Sequence, residues 1–273
     1  MTRLSMAYLA ERKEAAPTDR VRAAWVGASA VGTGFLGFLL VSERGADLIA
    51  YYLVDPSDIY GRSTTIQSQA AFLYSPPMAL VMAPLGSLPW PVVSVGWLAL
   101  QLAALWYIAG RWALALILFP PVFADLAYGN INVFLAAMLV ASRRYPAVWT
   151  FGLLTKVTPG VGLVWYAARE EWRALAVVGA VTAGAVAVSL AILGPQPWAD
   201  WFAVLDAGTA HTPVNALLVP LVPRLALAAV LVAFAGRTDR WWLVPIAVTV
   251  AMPVLWAIAF VPLVALLKER EDA

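Results

Sequence analysis

Cysteine is absent from the chain, histidine occurs once, and charged residues make up only 12% of its 273 residues. Without cysteine there is no thiol nucleophile, no disulfide framework and no thiolate metal site, although the absence fits any compartment. A single histidine, His211, excludes a multi-histidine metal site. A soluble domain carries about a quarter charged residues, so this chain has roughly half the charge that a water-facing surface needs. No Walker loop, dinucleotide fingerprint, Ser-His-Asp set or basic-aromatic nucleic-acid face is present. What the chain does have is apolar residues, 62% of the total, with a mean hydropathy of +0.79. A soluble globular enzyme and a disordered chain are therefore excluded. Pro-punctuated apolar runs near span length point to an all-α polytopic membrane protein and do not match alternating barrel strands.

Charge patterning sets the expected topology. Residues 1–22 are polar and basic (Arg3, Arg12, Lys13, Arg20, Arg22), and Ala23 to Val41 is long enough to span. With no small-residue cleavage site, the reading is a retained first helix with its basic flank in the cytoplasm. Further apolar blocks cover 92–109, 112–142 with a polar break, 174–193 and 214–267 with breaks. Basic clusters at Arg111, Arg143/Arg144, Arg169/Arg173, Arg237/Arg240 and Lys268/Arg270 are placed inside, and a short cytoplasmic tail runs over 268–273. That leaves four of the 18 Lys and Arg outside: Arg44, Arg62, Lys156 and Arg224.

One transmembrane domain over 23–267 follows, with Gly129-Asn130-Ile131-Asn132 outside between helices near 112–127 and 131–142. Block 146–168 becomes a hairpin with Lys156-Val157-Thr158-Pro159 at its outer tip, its arms too short for a bilayer core of about 30 Å. The tail splits near Met252-Pro253. Two long segments, 43–91 and 194–223, are read as external loops. The prolines at 76, 77, 84, 89 and 91 make 71–91 a re-entrant or surface-lying helix pair. A full span there would reverse every later boundary.

The candidate chemistry lies on the outer side. Asp47, just past the first helix and beside Tyr51 and Tyr52, is a carboxylate at a membrane boundary. Partial desolvation raises such a group toward the range of a general base; pairing with Arg44 in headgroup water is the plainer alternative. Asp55 and Asp58 flank Pro56-Ser57 as turn or cap residues. Asp125 is an acid inside an apolar segment, which marks a functional position by default, against snorkelling to the outer end. Lys156 is an isolated outer cation suited to a lipid phosphate, as are Arg224 and His211, or each is an interfacial anchor. Thirteen tryptophans form an aromatic belt, and Gly27, Gly32, Gly34 and Gly37 suit close helix packing.

Taken in order, Gly45-Ala46-Asp47, Tyr51-Tyr52, Asp58-Ile59-Tyr60, Phe72-x-Tyr74-x-Pro76-Pro77, Pro84-Leu85, Pro120-Pro121, Gly129-Asn130-Ile131-Asn132, Lys156-x-x-Pro159 and Trp172-Arg173-Ala174 resemble glycosyltransferase family 87. These are polyprenol-phosphate-mannose-dependent mannosyltransferases of the GT-C superfold. The likeness is closest up to Ala174, and Asn130 stands where the family usually has Gln. The resemblance implies a GT-C-like bundle of about 8–10 transmembrane or re-entrant helices, each span needing about 20 apolar residues. It also implies inverting transfer of a sugar, with Asp47 as the base that takes the acceptor's proton. Lys156, Arg224 and His211 would face the departing polyprenyl phosphate. Tyr74 and Asn132 would position sugar or carrier, and Asp58, Tyr60, Asp125 and Asn130 complete the expected substrate-binding set. No cofactor is required; a divalent cation on Asp oxygens is compatible. The implied partners are a polyprenyl-phosphate sugar donor, a glycolipid or glycan acceptor and the bilayer, with no nucleic acid. The implied location is the plasma membrane, with the site on its outer face. Two competitors are a lipid or solute transporter and a non-catalytic GT-C-like protein. Against transport, no inverted repeat is visible and the acids gather on one face instead of the midplane.

Overall fold

The structure is a computed structural model that describes residues 19–41, 45–61, 70–210 and 219–268. Expectations for His211, Arg44, Arg62 and the basic segment before Asp19 fall outside these residues. Helices carry the described chain, and no strand occurs among the described residues, as the composition requires for backbone in lipid.

Helix α1 runs over Asp19–Val41, starting four residues before the expected span. After it come α2 (Leu48–Tyr52), α3 (Pro76–Met82) with a 3-10 turn over Ala83–Ser87, and α4 (Trp90–Ala109). A single turn, α5 (Ala113–Leu116), leads to α6 (Pro120–Tyr128) and α7 (Asn132–Ser142). Then come α8 (Trp149–Thr155), a 3-10 segment over Thr158–Leu163, α9 (Val164–Ala168), α10 (Trp172–Leu193), α11 (Gln196–Ala210), α12 (Leu221–Thr238), α13 (Leu243–Val250) and a 3-10 segment over Ala257–Ala265. Among the described residues, three segments are long and apolar enough to cross a membrane: Trp90–Leu116, Trp172–Leu193 and Leu221–Thr238. Helices α6 and α7 form a broken pair bent by 113°. After its first turn, which exposes Trp172 and Arg173, α10 exposes Val177, Val181, Val188, Leu190 and Ile192, an apolar surface that suits lipid.

Prolines set most boundaries. The expected helix over 112–127 is interrupted, because Pro120 and Pro121 lack the N–H that would continue α5 and instead occupy the first turn of α6. The same effect corrects the reading of 194–223 as loop. Pro195 and Pro197 start a helix instead of preventing one, and α11 fills 15 residues of that segment. Trp201 of α11 donates from Nε1 to the Leu73 carbonyl at 3.1 Å and docks the helix on the Phe72–Pro77 stretch.

Contacts between turns sort into two ends. At one end Trp25 bonds the Arg111 carbonyl, Tyr166 bonds the Ser142 carbonyl, and Arg169 pairs with both Glu171 and Asp239. At the other, the turns carrying Asp47, Asn130 and Lys156 meet.

Gly129 ends α6 in the left-handed conformation (φ +68°), where glycine has no steric penalty. A Cβ here would lie 2.7 Å from Leu48 Cβ. Gly129→Ala is expected to lower stability by about 1–3 kcal/mol, combining an incompatible φ with a clash. Thermal unfolding in detergent checks it, with Gly179→Ala, which meets open space, as the near-neutral control.

Candidate active site

Asp47 is the residue before α2, a position where an aspartate normally caps its own helix. It makes no side-chain cap bond here. Its backbone is instead tied to the end of α6, with the Asp47 N–H on the Tyr128 carbonyl at 3.0 Å and the Gly45 N–H on the Ala127 carbonyl at 3.1 Å. The carboxylate accepts a 2.7 Å hydrogen bond at Oδ2 from Asn130 Nδ2. Burial pushes the Asp47 carboxyl above its usual value, and the Asn130 hydrogen bond and the Lys156 charge partly offset this.

A chain of side chains continues from there. Lys156 Nζ donates to Asn132 Oδ1 at 2.9 Å and, more weakly, to Asn130 Oδ1 at 3.5 Å. Asn132 Nδ2 donates to Asp125 Oδ1 at 2.9 Å. The order is therefore carboxylate, amide, ammonium, amide, carboxylate, with the charges separated by one amide on each side. An ammonium has three donors, and the two amides engage two of them.

Asp125 is fully buried, and both its oxygens are engaged, since Oδ2 accepts the Val133 N–H at 3.1 Å. That N–H is an orphan of the first turn of α7, so Asp125 caps α7 from α6 across the bend. With both oxygens used and no exposure, Asp125 holds the turn. Burial of Lys156 pulls its ammonium below the usual lysine value, while Asp125 and Asp47 act in the opposite sense. The Lys156 tip has an uncommon backbone. Val157 sits at φ +55°, ψ −58°, and the Thr158 N–H closes onto the Lys156 carbonyl at 2.6 Å. That is a γ-turn of the rarer, strained sense, the kind of strain that concentrates at functional sites.

The Phe72-x-Tyr74-x-Pro76-Pro77 stretch buttresses the tip. Ser75 donates from N and Oγ to the Leu154 carbonyl, at 3.2 and 2.6 Å, satisfying an acceptor left open in the last turn of α8. Tyr74 Oη lies 2.7 Å from Tyr51 Oη, and Tyr60 Oη donates to the Tyr74 carbonyl at 2.7 Å. Tyr51 and Tyr74 thus stand beside Asp47, Tyr60 braces Tyr74, and Trp97 extends this aromatic wall with its ring 5.4 Å from that of Tyr51.

Two expected residues are not brought to this cluster. Asp58 is exposed, in a turn closed by its N–H on the Asp55 carbonyl. Arg224 is buried, and its guanidinium donates to the carbonyls of Val219, Val250, Met252 and Pro253 at 2.7–3.3 Å. It caps the broken end of α13. Gln101 was not singled out by the sequence reading. Its Nε2 spans the Asp125 and Asn130 carbonyls at 3.2 and 2.8 Å, bracing the Gly129 turn from α4. The signal was present: it is the one carboxamide in a mostly apolar helix. No three His, Cys, Asp or Glu side chains gather around one point among the described residues.

The profile of glycosyltransferase family 87 matches residues 72–271. The chain belongs to this family. The family 87 match takes in the Asn130–Asn132 turn and Lys156 but begins after Asp47, which joins the site through the contacts above. The chain is also similar to the polyprenol-phosphate-mannose-dependent alpha-(1-2)-phosphatidylinositol pentamannoside mannosyltransferase of Mycolicibacterium smegmatis, at 28% identity over 153 residues, covering 46% of this chain and 36% of that enzyme. The similarity therefore spans about a third of that relative's length. No solved structure matches the chain.

Proposed function

We propose that this family 87 chain is a membrane glycosyltransferase that moves a sugar, mannose first among candidates, from a polyprenyl-phosphate donor to an acceptor hydroxyl with inversion at the anomeric carbon. Asp47 takes the hydroxyl proton as that oxygen attacks. The new C1–O bond forms as the bond from C1 to the phosphate oxygen breaks, and polyprenyl phosphate leaves with the electron pair. A phosphate needs no proton to depart, so one carboxylate base suffices, unlike the paired acids that expel an alkoxide in glycosidases. Lys156 supplies a fixed positive charge for the phosphate. The reaction is assigned to the outer face of the plasma membrane, where the basic turns at the opposite end lie inside.

The observation that carries this reading is the link from Asp47 through Asn130 to Lys156, which sets a proton acceptor and a cation one amide apart at a turn between apolar helices. The test is transfer from labelled polyprenyl-phosphate-mannose to a mannosylated lipid in proteoliposomes. The expected product has the anomeric configuration opposite to the donor's. Transfer from a nucleotide sugar but from no polyprenyl phosphate would overturn the donor class.

A further inference from the structure

Asn130 is held at every polar atom it has. Its N–H bonds the Asp125 carbonyl at 3.0 Å and its carbonyl accepts from Gln101 at 2.8 Å. Its side-chain Oδ1 accepts the Ile131 N–H at 2.7 Å and faces Lys156 Nζ at 3.5 Å. The two ends of a carboxamide are nearly the same size, one a donor and the other an acceptor. A carboxylate tolerates only the donor end. Neither the Ile131 N–H nor the Lys156 ammonium can donate to an NH2 group, so together they force the oxygen end toward themselves and the NH2 end toward Asp47. The same logic repeats at Asn132, whose oxygen faces Lys156 and whose NH2 faces Asp125.

We propose that Asn130 is a positioning residue for the base: its amide, oriented by Ile131 N–H and Lys156, occupies Oδ2 of Asp47 and leaves Oδ1 aimed at the acceptor hydroxyl. The inference rests on Asp47 being the base. It assigns Asn130 to the carboxylate and not to substrate, and it makes Lys156 act on the base through the amide as well as on the phosphate. The groups around Asp47 are Tyr51 on its own helix, Tyr74 before α3, Asp125 and Asn130 at the α6–α7 turn, and Lys156 at the α8 tip. Of these, Asn130 and Lys156 favour the ionised carboxylate, and Asp125 disfavours it.

The test follows the Asp47 carboxyl directly, by infrared titration of the protonated-carboxyl band that Asp47→Asn removes, in the intact protein in nanodiscs. Loss of a hydrogen bond to the ionised form raises a carboxyl pKa. Asn130→Ala is expected to move the midpoint up by about one pH unit, and the acidic limb of kcat should move with it. The donor KM should change by less than about twofold, because the variant removes only the long 3.5 Å contact to Lys156, which keeps its 2.9 Å bond to Asn132. Asn130→Asp, which keeps the shape but sets an acceptor against Asp47, guards against a folding defect in the first variant and should shift the midpoint further in the same direction. If both variants lose thermal stability while the midpoint stays put, Asn130 is only a brace for the turn and the proposal is overturned. A shifted midpoint in a protein without transferase activity would keep the geometry and sink the reading of function. Activity with an unshifted midpoint would do the reverse.

Discussion

Asp47→Asn is expected to lower kcat for sugar transfer by about 10²–10⁴-fold, the range general-base catalysis contributes, while leaving the fold intact. The replacement has the same outline, and its amide oxygen can still accept the 2.7 Å bond from Asn130. What disappears is the ability to take a proton. Donor binding should be nearly unchanged, since the ammonium of Lys156 and its bonds to Asn132 are untouched. A large fall in kcat with a steady KM is the mark of an interaction used only in the transition state. The pH profile gives an independent check. Only the ionised carboxylate accepts the proton, and burial raises the Asp47 pKa, so activity falls as pH drops through a limb displaced upward from the ordinary aspartate value. Asp47→Glu keeps the charge but moves it by one methylene, and should retain part of the rate. Wild-type kcat in Asp47→Asn would remove this residue from the chemistry.

Much of this arrangement was legible in the residues. Lys156 is a lone cation between apolar arms, and placing both flanking basic clusters on one side forced it to a tip, where the structure has it. Asp47, Asn130 and Lys156 were put on one side by the same charge rule, and their hydrogen bonds bring them together. The errors have physical causes. Segment 194–223 reads as an external loop, yet proline breaks a helix only in its interior and fits its first turn, so α11, which starts at Gln196-Pro197, was missed. Arg224 and Lys156 look alike in sequence, both isolated outer cations. Only the break after α13 creates the unpaired carbonyls that claim Arg224, and no pattern in the chain shows where those carbonyls point. Gln101 shows the same limit, because its partners come from a bend 24–29 residues away. The amide orientation of Asn130 is set by neighbours that converge only in the fold.

The second large effect belongs to Lys156. Replacing it with methionine keeps the length and apolar stem but removes the ammonium, so Asn132 Oδ1 loses its 2.9 Å donor and the phosphate loses its cation. A hydrogen bond to a charged group contributes about 1.5–3 kcal/mol, which converts to a rise in donor KM of about 10–100-fold at 1.4 kcal/mol per factor of ten. Stability should fall as well, by about 1–3 kcal/mol, for the buried amide oxygen left without a donor. Arginine should not restore function, since its planar fork differs in shape and donor geometry from a compact ammonium on a flexible stem. Two comparisons decide whether the effect is local. Asp58→Ala, in an exposed turn, should leave donor KM within about twofold, as exposed substitutions shift free energies by no more than about 0.5 kcal/mol. Arg224→Met should lose stability because four carbonyls lose a shared donor, yet leave the KM of the folded fraction unchanged. A cation that binds substrate and a cation that caps a broken helix differ in which quantity moves. If Lys156→Met behaves like Arg224→Met, with stability lost and KM constant, the lysine is a strut between two asparagines and the phosphate is bound elsewhere.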